Sequence, residues 1–312
     1  MTTLTLLPLF LLTGSFAHAY ESDQLSSRLD PPMDATDAAN TKINQMLAQA
    51  VALTNRQLRC QGDDATVREA LAHTIHDTVG GRERVPGHDG GPPMAFGAYA
   101  AWLESGPIDR DAHVGDEGLY RDIGLRDSLL IATFGAASTI SLGGFLVGTD
   151  KIDHFWVQGY DYFRRSREGR DPARAVAWGT RTELGVWGFE TTGVFSYADL
   201  AANYDGFQFY ATLLTPDSVL QRDRDGCVQQ VRPFDWAEII NWRYDEVLNP
   251  SVYRADLGPP IRAAVEEEGM YCTQGLKPPE IDGAPWVGPD APDWDTGLDL
   301  TDLCPPEPTA SR

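Results

Sequence analysis

Gly148-Thr149-Asp150-Lys151-Ile152-Asp153-His154-Phe155-Trp156 opens the stretch that organises this chain, and Ser196-Tyr197-Ala198-Asp199-Leu200-Ala201-Ala202-Asn203-Tyr204-Asp205-Gly206 closes it. Thr149 caps a predicted helix over residues 150 to about 166. On it Asp150, His154, Gln158 and Asp161 fall along one side, and Ile152, Phe155, Trp156 and Phe163 along the other. His154 therefore lies opposite the apolar side of its own helix. Gly169, Asp171 and Pro172 break and restart the chain, and a second helix is expected as far as about residue 192. Arg170, Arg174 and Arg181 share one of its faces, while Glu183 and Glu190 project on the apolar side with Val176, Gly179, Val186 and Trp187. Ser196 caps a third helix, where Asp199 and Asn203 stand i,i+4 on the stripe that carries Tyr210 and Leu213.

A carboxylate on an apolar stripe must be paired, hydrogen-bonded, metal-bound or protonated, because burying an isolated charge costs several kcal/mol. Glu183, Glu190 and Asp199, following the Asp150/His154 pair, make a candidate site of Asp150, His154, Glu183, Glu190, Asp199 and Asn203. If a divalent metal is the cofactor, His154, Asp150, Asp199 and Glu190 are its candidate ligands, and oxygen donors with one imidazole suit Mn²⁺, Mg²⁺ or Zn²⁺. Without metal, His154 beside a carboxylate is a general base. The competing reading is a buried polar network that only locks three helices together.

The run from Asp150 through Lys151 and His154 to Phe155, with Glu190 and then Ser196, Asp199, Leu200, Ala202, Asn203 and Gly206, resembles a motif pair. This is the D-K-x-x-H-F and D-L-x-A-N-x-x-G pair of VanZ-like proteins and of several uncharacterised bacterial envelope and lipoprotein families. The resemblance covers residues 148–206, about a fifth of the chain. It implies an envelope location and a shared polar site, and carries no reaction with it. VanZ-like proteins cross the membrane several times, and this sequence has no comparable set of apolar segments.

Residues 1–19 read as a signal peptide, with an apolar run from Leu4 to Leu12 and an Ala17-His18-Ala19 ending, although no Lys or Arg precedes the run. That run is well short of the ~20 residues a membrane-spanning helix needs. The remaining divisions are an N-terminal extension at 20–33, a helical domain at 34–277 and a Pro-, Gly- and Asp-rich tail at 278–312. A formal charge of −21 excludes nucleic acid and anionic membrane surfaces as partners. No stable transmembrane segment is expected after cleavage. Lys42, Lys151 and Lys277 are the only lysines, which draws notice to Lys151 inside the motif. Cys60, Cys227, Cys272 and Cys304 fit no zinc spacing and read as two disulfides of open connectivity, in keeping with a periplasmic or secreted protein.

Elsewhere, periodicity predicts helices at 34–59, 64–79, 99–103, 128–137, 236–248 and 259–268. The second carries Glu69, His73 and His76 opposite Val67, Leu71 and Ile75, a pattern read as a solvated face in preference to a metal site. Residues 80–93 and 106–118 are Gly- and Pro-rich loops. The uncharged stretch 128–149 is too rich in glycine for a membrane span, and its second half is a hairpin turning at Gly143-Gly144. Asp223-Arg224-Asp225-Gly226 is a hairpin turn, since the ligands of a calcium loop do not follow it. The expected fold is mainly α, a single helical domain with one or two small β-hairpins. No G-x-S-x-G, H-E-x-x-H or Cys/His nucleophile signature occurs. Two functions fit: a hydrolase acting on an envelope component through the Asp/His/Glu/Asn site, or a non-catalytic envelope structural or binding protein.

Overall fold

The computed structural model describes residues 20–28, 30–113, 118–185, 188–268 and 284–292. The fold is mainly α, with small antiparallel sheets of two strands each. Helix α1 (Thr36–Leu58) packs along α2 (Asp64–Val79). The stripe Ala39, Ile43, Leu47 and Ala50 meets Val67, Leu71 and Ile75 in the main core. Asp63 caps α2 by accepting the Thr66 amide at 2.8 Å. Strands β1 (Arg82–Val85) and β2 (Met94–Gly97) pair across a loop and lead into α3 (Ala98–Ser105). Helix α4 (Leu129–Phe134) is followed by the hairpin β3 (Thr139–Leu142) and β4 (Phe145–Gly148), in register Ile140↔Val147. Its turn glycines Gly143 and Gly144 adopt φ of +62° and +86°, the left-handed region a tight hairpin needs.

The chain then enters its central rod: α5 (Thr149–Asp153), a π turn (His154–Gln158) and α6 (Gly159–Arg165). In the π turn the Gly159 N–H reaches the His154 carbonyl, five residues back, which rotates the residues on either side relative to a regular helix. Every residue from Thr149 to Tyr160 is buried, so the rod has no solvent side along this length. Phe155, Trp156, Phe209, Phe234 and Trp236 interlock around it edge to face.

Helix α7 (Pro172–Leu184) begins at Asp171, whose side chain accepts the Arg174 amide, and stops at Gly185. Strand β5 (Val194–Phe195) precedes α8 (Tyr197–Ala211), which Ser196 caps. Helix α8 crosses the rod at backbone contact. A Cβ on Gly159 would lie 2.7 Å from the Gly206 Cα, and one on Gly206 would lie 2.0 Å from the Phe155 carbonyl oxygen. Strands β6 (Leu220–Arg222) and β7 (Val228–Gln230) form a hairpin around Asp223, which accepts the Asp225 and Cys227 amides at 2.9 Å each, as a turn and not a cation loop. Strand β8 (Val252–Tyr253) pairs with β5, and α9 (Gly258–Glu268) follows. Among the described residues no helix is long and apolar enough to cross a membrane.

Several expectations are corrected. The helix expected over 236–248 is two separate 3-10 turns, Trp236–Glu238 and Trp242–Tyr244. Asp235, Asn241 and Asp245 accept the amides of Ala237, Arg243 and Val247, drawing the backbone into local turns in competition with a helix. Residues 20–28 of the N-terminal extension pack against the helical part: Glu21, Ser22, Asp23, Gln24 and Leu25 are all buried, and the Ala137 amide donates to the Glu21 carbonyl at 2.7 Å. Part of the tail also docks, with Trp286, Val287 and Ala291 against Phe195, Tyr197 and Leu200. Sheets β1–β2 and β5–β8 add to the two hairpins expected. Cys60 pairs with Cys227, while Cys272 and Cys304 lie outside the described residues.

Candidate functional site

Where the rod and α8 cross, Lys151 lies with no exposed surface. Its ammonium Nζ is 2.6 Å from Asp150 Oδ2, 2.6 Å from Asp199 Oδ1 and 2.8 Å from Glu246 Oε1. Asp199 uses its other oxygen on His154, whose Nε2 is 3.2 Å from Asp199 Oδ2 and whose Nδ1 is 3.0 Å from Asn203 Oδ1. The imidazole is thus hydrogen-bonded at Nδ1 to Asn203, while its Nε2 faces Asp199, one turn away on α8, without a hydrogen bond. Ser196 binds the periphery: its amide donates to Glu183 Oε1 at 3.1 Å, and its hydroxyl donates to Glu246 Oε1 at 2.8 Å. That same hydroxyl accepts the Asp199 amide as the cap of α8. Pairing of β5 with β8 carries the Glu246 segment to this point, and pairing of Ser22 with Ala137 brings Glu21.

Charge is out of balance in this pocket of low dielectric. One ammonium faces the carboxyl groups of Asp150, Asp199, Glu246, Glu183 and Glu21, all of them buried. Burial raises the pKa of Asp150, against the pull of Lys151. Burial pushes Glu246 up to about 7, again opposed by Lys151. Glu183 and Glu21 rise well above the ordinary carboxylate range, through burial first and then their carboxylate neighbours. For Lys151, burial alone would lower the pKa, but Asp150, Asp199, Glu246 and Glu21 outweigh it and hold the ammonium well above its ordinary value. The upward shifts of Glu246, Glu183 and Glu21 favour their neutral forms, which eases the imbalance around the one lysine.

Of the residues the sequence singled out, the structure brings together Asp150, His154, Asp199, Asn203 and, through Ser196, Glu183. His154 is 3% exposed and does not face water, because helices pack on both sides of the rod. Glu190 does not join them. Helix α7 stops at Leu184, so Glu190 sits in an exposed turn. The expected metal set of His154, Asp150, Asp199 and Glu190 is accordingly not assembled, and Lys151 Nζ occupies the centre that a cation would take. Among the described residues, the one group whose three ligand atoms all lie within 4.8 Å of one another is His73, His76 and Asp77, elsewhere on the molecule. Sequence reasoning missed Glu21, Glu246 and the central role of Lys151. For Lys151 the scarcity of lysine was a signal; for the two glutamates none existed, since their positions depend on strand pairings far along the chain.

Compared with protein-family models, with curated proteins and with solved structures, the chain matches none.

Proposed function

We propose that the chain is an exported envelope protein of the non-catalytic kind, structural or binding, in which the Lys151 network locks the N-terminal segment, the rod, α8 and the Glu246 segment into one body. The observation that carries this reading is enclosure. Lys151 is 0%, His154 3% and Asp199 3% exposed, the Lys151 ammonium is ringed by carboxylates, and the His154 ring is enclosed between Asn203, bonded at Nδ1, and Asp199. A base or nucleophile must reach its substrate within hydrogen-bonding distance, and a sealed group has none to reach. The Cys60–Cys227 disulfide supports an oxidising compartment, as does the Ala17-His18-Ala19 ending of the leader. An unidentified envelope component is the partner of this reading.

A second reading, hydrolysis of an envelope component, draws on two features: the Asp199-His154-Asn203 line, in which a carboxylate orients an imidazole, and Glu246, pushed up to about 7 where a carboxyl exchanges protons near neutrality. His154→Ala separates the two. On the structural reading the variant loses about 1–3 kcal/mol, because Asn203 loses its buried hydrogen-bond partner and the space of the ring is left empty. Neither protein then hydrolyses isolated envelope material or chromogenic ester, amide and phosphodiester substrates. Hydrolysis by the wild type that His154→Ala abolishes, with an unchanged melting transition, overturns the structural reading in favour of the hydrolase.

A further inference from the structure

Helix α2 carries His73, His76 and Asp77 at i, i+3 and i+4, the spacing that places three side chains on one face. His73 Nε2 lies 3.5 Å from Asp77 Oδ2, and His76 Nδ1 lies 3.3 Å from Asp77 Oδ1. Two donors bound to one tetrahedral Zn²⁺ at ~2.0–2.1 Å each stand ~3.3 Å apart, and each histidine stands near that distance from one of the two Asp77 oxygens, with one ligand atom from each of the three residues within 4.8 Å of the others. We propose that His73, His76 and Asp77 form a binding site for a divalent cation of the Zn²⁺ class, independent of the Lys151 network.

Three further observations support the assignment. The His76 ring is fixed in place by stacking on Tyr160, with centroids 4.4 Å apart. His73 presents its other nitrogen, Nδ1, 3.5 Å from the Tyr160 hydroxyl, which in turn accepts from Arg164 Nη1 at 3.3 Å. A partner behind the ligating imidazole is what orients histidines in metal sites. His73 and Asp77 are largely exposed, at 61% and 59% of their side chains, so they close onto an ion by rotation without disturbing the core. The donor chemistry selects the metal. Two imidazoles and one carboxylate suit Zn²⁺ and its neighbours, whereas Mg²⁺ and Ca²⁺ prefer oxygen alone.

The position of the site suits an open coordination sphere. His73 and Asp77 form part of the wall of a groove of about 960 Å³ that also contains Lys42, Arg56 and Trp102. Three protein ligands leave a fourth place on the ion for water or a groove ligand.

The test uses the tag-free chain, stripped with EDTA and titrated with ZnCl₂ by calorimetry, and with Co²⁺ followed by visible absorption. One ion per chain and the intense bands of four-coordinate cobalt are expected. His73→Ala and His76→Ala should each weaken Zn²⁺ binding by about tenfold or more and remove the cobalt bands, while the metal-free form of the exposed His73→Ala variant melts with the wild type. Tyr160→Phe keeps the stacked ring and removes the hydroxyl, and should weaken binding less than either ligand change. Absence of stoichiometric Zn²⁺ binding by the wild type overturns the proposal. So does a His73→Ala/His76→Ala double variant that binds with wild-type affinity, since the ion would then reside elsewhere.

Discussion

Lys151→Met removes the one ammonium from a pocket of buried carboxylates while keeping most of the side-chain volume. With the ammonium go its ion pairs to Asp150, Asp199 and Glu246, at 2.6, 2.6 and 2.8 Å. Deleting one partner of a buried ion pair costs about 3–5 kcal/mol because the other charge stays behind in low dielectric. For a chain of this size each kcal/mol lowers the melting temperature by ~1–2 °C, so a fall of about 3–10 °C is expected near pH 8. The loss should shrink near pH 5. Carboxyls whose pKa burial already raises, Glu246 to about 7 among them, take up protons there and no longer need the ammonium. Thermal melts by circular dichroism, with urea unfolding followed by tryptophan fluorescence, measure both values. A loss under about 1 kcal/mol near pH 8, or one of equal size at both pH values, refutes the idea that Lys151 neutralises this pocket.

Two further outcomes rest on the same physics of burial. In the wild type, burial pushes Glu246 up to about 7 and Asp153 up to about 6, above their ordinary 4.5 and 3.8. A raised carboxyl pKa means the folded state holds the proton more tightly, so the stabilisation is complete below the unfolded value and is lost as pH rises through the folded one. The Lys151 ammonium stays charged throughout that window. Stability measured in urea should therefore fall between about pH 5 and about pH 8, and a flat or rising profile contradicts it. Gly206→Ala should destabilise by about 1–3 kcal/mol or prevent folding, since its methyl would lie 2.0 Å from the Phe155 carbonyl oxygen and force the helices apart. A variant that melts like the wild type would show that α8 and the rod do not touch here.

Much of the scaffold is written locally. The amphipathic spacing of α1 and α2, the Gly143-Gly144 turn and the Asp223 turn each depend on neighbours a few residues away, and they fold where the sequence places them. The same local logic placed Asp150 with His154, and Asp199 with Asn203, on the sides that meet. It failed wherever one residue's environment depends on a distant segment. Periodicity put His154 away from the apolar side of its helix, because it assumes one wet face, whereas packing and a π turn leave this rod none. It carried Glu190 inward on a helix that ends at Gly185, and it read a helix at 236–248 where Asp and Asn side chains hold separate turns. Local patterning was enough for the helical scaffold, the formal charge of −21 and five members of the polar cluster, Asp150, His154, Glu183, Asp199 and Asn203. That Lys151 is its centre, and that Glu21 and Glu246 complete it, emerges only once distant segments pack together. Burial sets the ionisation of each carboxyl and strand pairing delivers two of them, and both arise from contacts between segments far apart in the chain.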